Sequence, residues 1–477
     1  MIYFISCKIV VVIKKENTME KTSNKKGQLT ENKMGVMPVK SLIISMSLPM
    51  MISMLVQALY NIVDSIFVAQ VSEDALTALT LAFPLQTLMI ALGSGTGVGI
   101  NALLSRSLGE KEYDRANAAA NTGILMTLFN YLVFLFAGIF VVKPFIASQT
   151  DNAVIADYGV TYLQYVCILS FGLFFQMTFE RLLQSTGRTF ESMISQLTGA
   201  VINIILDPLL IFGIGFFPKL GVAGAALATV FGQCVAGCLG LIMNIKRNKD
   251  VTLSIKGVRS PKIETIKQIY LVGIPSILMM SIGSVMTYLF NKILNSFSST
   301  AVAVFGAYFK LQSFFFMPIF GLNNGMIPVL SYNYGARKKD RIKQALRFSL
   351  VFAFSIMTLG TLVFETIPGL LLKLFDASDN MIAIGTPALR IIALHFPIAS
   401  ICIMLGSMFQ AFAKSHYSLV VSLGRQLVVL IPVAWLLSLI GNINYVWFAF
   451  PIAEIVSLII TLIYYRRIKR KIIDTLD

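Results

Sequence analysis

Charge is scarce in this chain. Only 13% of its 477 residues are Asp, Glu, Lys or Arg, against about 25% in an ordinary soluble domain. Hydrophobic residues make up 56% and the mean hydropathy is +0.77, which excludes a water-soluble globular body. Histidine is nearly missing. His395 and His416 stand alone, too few for a haem, zinc or di-iron membrane enzyme, which needs clustered imidazoles. The cysteines Cys7, Cys167, Cys234, Cys238 and Cys402 form no C-x-x-C pair, and the last four lie in apolar runs, where a thiol behaves as a small hydrophobe. Neither disulfides nor zinc are indicated. A phosphate-binding loop is also lacking: GSGTGVG (93–99) has no Lys-Ser/Thr ending and sits within an apolar run. Its small residues, like those of GVAGAALAT (221–229), suit close helix packing. ATP is thereby excluded as the direct energy source, and no nucleotide or other cofactor is implied. No nucleophile and base pair is evident, so an enzyme is not expected.

What the sequence has instead is long apolar runs. A bilayer core of about 30 Å takes roughly 20 apolar residues per helix, and twelve such runs occur, near 41–70, 75–105, 117–142, 157–181, 191–213 and 221–245, then 268–295, 301–331, 348–370, 387–412, 417–440 and 444–465. Lys and Arg collect in alternate connections: 32 of the 39 fall on one side, which by the bias of cytoplasmic loops places both termini in the cytoplasm. The net charge of +16 therefore calls for no nucleic-acid partner. The start, MIYFISCKIVVVIKKENT, has an apolar stretch too short to span and no cleavage site for a signal peptide, and synthesis is expected to begin at Met19. Residues 1–40 are expected to form a disordered cytoplasmic segment. A first six-helix bundle is expected over 41–245, a basic cytoplasmic linker over 246–264, a second bundle over 265–465 and a cytoplasmic tail over 466–477.

The two bundles read as copies. One constant shift of 226 positions superposes Pro49 on Pro275, Gln86 on Gln312, Gly95 and Gly99 on Gly321 and Gly325, and Gly109 on Gly335. The same shift brings Asp114-Arg115 onto Asp340-Arg341, Gln184 onto Gln410 and Ser192 onto Ser418. An even number of spans per copy makes the repeats parallel in topology, facing each other across a central cleft, the usual place for cargo. The fold class is all-α and integral to the membrane.

Ionisable side chains at span depth are costly, so they mark function or pair with one another. In the first half these are Asp64, Glu180 and Asp207; the shifted positions hold Phe290, Gly406 and Val433, so this acidic set is not repeated in the second half. Asn203 and Asp207, four apart in INIILDP, share one helix face, and so do Tyr60 and Asp64 in LYNIVDS. If the faces meet, two carboxylates, an amide and a phenol could take a proton or a small hard cation such as sodium at Asp64, Asn203 and Asp207. Glu180, with Gln57 and Asn61 on the first span, is read as facing the cargo. In the second half, Arg425 and Glu454 are read as a buried structural pair, His395 as packing, and Lys292 and Lys310 as snorkelling or balancing cations.

The order and spacing of these features resemble one family. Pro49 and Asp64 in LPMMISMLVQALYNIVDSIFVAQ, NIILDP in the fifth span and GVAGAALAT opening the sixth are similar to the multidrug and toxic compound extrusion (MATE) transporters, in particular their MepA-like bacterial branch. The resemblance covers about 40–465. It implies a monomeric antiporter of the bacterial inner membrane that exports cationic or amphipathic small molecules in exchange for protons or sodium ions by alternating access. It implies that Asp64, Asn203, Asp207 and Tyr60 form the ion site, that Thr229 joins them, and that the first helix bends at Pro49. Relatives that bind sodium through acids in the seventh and tenth spans offer no parallel here, since those spans hold no carboxylate. The rival reading, a lipid-linked oligosaccharide or lipid flippase of the same superfamily, would need a cationic cleft, for which Lys292, Lys310, Arg390 and Arg425 are the candidates.

Overall fold

The computed structural model describes residues 31–375 and 377–476, so Cys7 and the expected start at Met19 lie outside the described residues. Among the described residues ten helices are long and apolar enough to cross a membrane singly, and two further pairs do so as bent units, giving twelve spans. The first half comprises Val39–Ala69, Glu73–Gly109, Tyr113–Phe140, the bent pair Ala153–Ile168 and Phe171–Ser185, Thr189–Phe212 and Val222–Lys246. The second comprises Ile263–Asn295, Ser299–Gly335, Lys339–Thr366, the bent pair Asp379–Ala393 and Phe396–Ala411, the stretch Ser415–Ser438 and Ala449–Lys471. These are called the first to twelfth spans below. Apolar side chains such as Phe83, Phe140, Leu362 and Ile463 stand exposed on the outside, as lipid contact requires.

Duplication is written into the backbone as well as the sequence. Glu73 and Ser299, Tyr113 and Lys339, Ala153 and Asp379, and Thr189 and Ser415 each start equivalent spans 226 positions apart. The second and eighth spans even begin with the same cap, the Oγ of Ser72 accepting from the Ala75 N–H and that of Ser298 from the Ala301 N–H, which satisfies one of the donors a helix start leaves bare. The fourth and tenth spans break in the same place, by 46° and 45°. By contrast, Val39–Ala69 passes through Pro49 and Ile263–Asn295 through Pro275 without interruption.

The two halves close on each other at the end that carries the basic loops. Glycine makes this contact. A methyl at Gly95 would come within 2.9 Å of the Gly273 carbonyl, and the equivalent Gly321 is packed on the Met51 backbone. Gly109 sits on the carbonyl of Tyr332, and Gly335 reciprocally on that of Arg106. Since 332 is 106 shifted by one repeat, the second and eighth spans cross on a pseudo-two-fold axis. From Gly95 to Gly109 nearly every residue is buried, whereas from Glu73 to Leu92 buried and exposed positions alternate. The tightly packed part of the second span therefore lies at the basic end.

Two connecting segments brace the closed end. Residues 31–37, expected to lie loose with the rest of 1–40, form a strap with a short helix, Lys33–Val36, capped by Asn32. Asn32 Nδ2 donates to the Thr186 carbonyl of the first half at 3.0 Å, while Arg341 and Asn333 of the second half each donate to the Met34 carbonyl at 3.0 Å. In the stretch between the halves, Thr252 N and Ser254 N donate to Asn117 Oδ1 at 2.7 Å and Asn121 Oδ1 at 2.8 Å on the third span.

Candidate functional site

The fifth span packs on both the first and the sixth, which brings the three polar segments together toward the end of the first half remote from the basic loops. Asn203 is at the centre. Its Nδ2 donates to Asp207 Oδ1 at 3.3 Å and to Thr229 Oγ1 at 3.3 Å, so the amide is turned by its two acceptors and its oxygen is left over. Asp207 is fully buried and Asn203 3% exposed. Asp64 on the first span lies close enough to act electrostatically on Asp207. Tyr60 lies beside Gln57 and within electrostatic reach of both aspartates.

Three buried oxygens here have no hydrogen-bond partner: Asp64 Oδ1, Asp207 Oδ2 and Asn203 Oδ1. An orphaned buried polar atom costs about 1–3 kcal/mol, and a cluster of acceptors costs less only when a proton or cation joins it. All three are oxygens, as a hard cation such as sodium prefers. Among the described residues no three His, Cys, Asp or Glu side chains converge. A cation at this place would therefore draw on the amide oxygen in addition to the carboxylates.

The other candidates divide. Gln57 is joined to the cluster through Tyr60, and its Oε1 accepts from Gln196 Nε2 at 3.1 Å. Asn61 is exposed, its carbonyl accepting from Ser65 Oγ. Glu180 lies deeper, in the second piece of the fourth span, and accepts from Gln176 Nε2 at 2.9 Å; its charge still reaches Tyr60. Its neighbour Arg181, one of the 32 Lys and Arg that sequence assigns to the basic side, is buried. Its guanidinium donates to Gln184 Oε1 at 2.9 Å and across the cleft to Asn324 Oδ1 at 3.0 Å.

One residue that sequence reasoning missed also belongs here. Tyr162, 3% exposed on the fourth span, accepts from Gln86 Nε2 at 3.0 Å and interacts with Asp64, Tyr60 and Asp207. The only signal was a phenol in an apolar run, which needs a partner when buried.

The second half resolves its charges differently. Arg425 reaches Glu454 Oε2 at 3.2 Å, with the Glu454 side chain 3% exposed, and a π-helical turn over Gly424–Leu430 lies at this pair. Lys292 stands over the Tyr288 ring and Lys310 over that of Phe375, while Arg390 donates to the Glu365 carbonyl. Every span-depth cation of this half is thus engaged locally, while Asp64 and Asp207 of the first half keep unpartnered oxygens.

Comparison with known proteins places this arrangement. The MatE family model matches twice, over residues 49–209 and 275–436, two stretches that begin 226 positions apart. The chain belongs to the MatE family of membrane transporters. As a MATE transporter it is not an enzyme. Among curated relatives, the FAD transporter of Shewanella oneidensis is 28% identical over 427 residues, covering 88% of this chain and 92% of the relative. The multidrug export protein MepA of Staphylococcus haemolyticus is 26% identical over 84% of this chain and 88% of the relative. A solved MATE family transporter in an outward-facing conformation superposes with a TM-score of 0.88 at 24% identity, covering 94% of this chain and all of that one. At that identity the likeness speaks to the fold alone.

Proposed function

We propose that this MATE transporter exports cationic or amphipathic small molecules by exchange for protons or sodium ions, with Asp64, Asn203 and Asp207 as the ion site. The observation that carries this reading is the trio of unpartnered buried oxygens on these residues. Loading a proton or cation there removes an electrostatic cost, repacks the first, fifth and sixth spans and disfavours a cationic cargo. Unloading does the reverse. Exchange follows because the two occupants oppose each other. Glu180, Gln57 and Asn61 are assigned to cargo contact on this reading, and the basic end to the cytoplasmic face of a bacterial inner membrane, with the protein acting as a monomer.

A second reading has one specific support, the relative named as an FAD transporter: a dinucleotide cargo carrying negative charge. The local engagement of Lys292, Lys310, Arg390 and Arg425 favours the cationic class over this and over a lipid flippase, both of which want free cations in the cleft. The deciding experiment uses proteoliposomes. An imposed pH or sodium gradient should drive export of a cationic dye, and Asp207→Asn should abolish that drive while the protein still melts as a folded species. Thr229→Val, which frees the Asn203 amide to turn, should weaken the drive several-fold, and Thr229→Ser should restore it. Undiminished dye export by Asp207→Asn, or gradient-driven movement of FAD with none of the dye, overturns the proposal.

A further inference from the structure

On the outer flank of the second half, at the basic end, a half-open groove of about 490 Å³ runs between the ninth span and the end of the twelfth. Its walls are graded. On the ninth span Lys343, Arg347 and Val351 follow one another at four-residue steps, one helix face, with the two cations toward the basic end and the aliphatic residue deeper. On the twelfth span Lys469 lies toward the tail and Tyr465 one turn deeper, and Leu350 lines the space between. Lys343 has a carboxylate neighbour, Asp474, at 3.6 Å. Arg347 and Lys469 are exposed and, among the described residues, have no carboxylate within ion-pair distance.

A cationic mouth over an apolar, lipid-facing trough is complementary to one kind of molecule, an amphiphile with an anionic head. Basic pockets between spanning helices hold such headgroups. We propose that this groove binds one anionic phospholipid from the leaflet at the basic end. Its phosphate sits between Arg347 and Lys469, and its acyl chain lies along Leu350 and Val351. The groove is on the flank of the second half and the ion cluster is inside the first, so this is a lipid site separate from any transport path.

The test uses the full chain purified in detergent. Phosphatidylglycerol and phosphatidylcholine are added in parallel, and bound lipid is counted by native mass spectrometry; glycerol phosphate serves as the headgroup alone. One phosphatidylglycerol per chain should survive where phosphatidylcholine is stripped, and the melting temperature should rise with phosphatidylglycerol but not with glycerol phosphate. Arg347→Gln combined with Lys469→Gln should lower retention at least tenfold while leaving the lipid-free melting temperature in place. Val351→Trp, which fills the trough and keeps both charges, should lower it too. Equal retention of both lipids, an equal shift with glycerol phosphate, or retention unchanged in either variant would overturn the proposal.

Discussion

The Arg181 guanidinium of the fourth span donates to Asn324 Oδ1 of the eighth at 3.0 Å, so a buried charge of the first half is held in part by the second. A cycle that opens the closed end must break this bond and expose the charge. Hydrogen bonds to charged groups contribute about 1.5–3 kcal/mol, and Gln184 and Ser94 remain as partners of Arg181 when Asn324 is lost. Asn324→Leu should therefore shift the balance away from the closed arrangement about tenfold or more without unfolding the protein. Pulsed electron resonance between spin labels at Asp114 and Asp340, exposed equivalents in the two halves, should report a longer distance. An unchanged distance distribution would remove Arg181 from the closing contact.

The parts of this molecule that sequence makes legible are those whose physics is local or costly. The twelve spans follow from long apolar runs, the repeat from Pro and Gly positions that recur at one shift, and the burial of Asp64 and Asp207 from the expense of a carboxylate in an apolar run. Arg181 was misplaced because a cation beside a span end looks the same whether it faces water or Asn324. Tyr162 and Gln196 went unnoticed, and Gln86 was seen only as a mark of the repeat, because a neutral polar side chain is tolerated almost anywhere. The strap at 31–37 is short, and nothing in its own composition reveals the backbone acceptors it offers to Arg341 and Asn333. Such long-range hydrogen bonds are properties of the assembled fold.

That strap makes a testable hinge of the closed end. Arg341 Nη2 donates to the carbonyls of Met34 at 3.0 Å and Met37 at 2.7 Å, Lys338 Nζ donates to the Gly35 carbonyl at 3.0 Å, and Lys338 also pairs with Glu31. Arg341→Ala should release it, seen as line narrowing of a spin label at the exposed Val36. The hydrogen bond from Lys338 holds the Glu31 carboxyl below its ordinary value. A group with a depressed folded value stabilises above its unfolded pKa, about 4, and loses that contribution as pH falls through the lower folded one. The label should accordingly stay immobile from pH 7 to 5 and loosen only in stronger acid, and Glu31→Gln should abolish that acid step. A label already mobile at neutral pH would mean the strap is not docked.

The reciprocal glycines offer the sharpest comparison. At Gly109 an added methyl would fall on the Tyr332 carbonyl, and at Gly335 on that of Arg106. Both obstacles are backbone, which cannot swing aside as a side chain would. Overpacking of this kind costs about 1–3 kcal/mol. Gly109→Ala and Gly335→Ala should each lower the melting temperature in detergent and lengthen the Asp114 to Asp340 label distance, by similar amounts because the contacts are symmetric. Gly306 lies inside the same eighth span with nothing within 4 Å of a methyl. There Ala should be neutral or stabilising by up to about 1 kcal/mol, since glycine is the poorer helix former. Equal effects at all three positions would reduce the result to helix propensity and leave the crossing of the second and eighth spans without a role in closure.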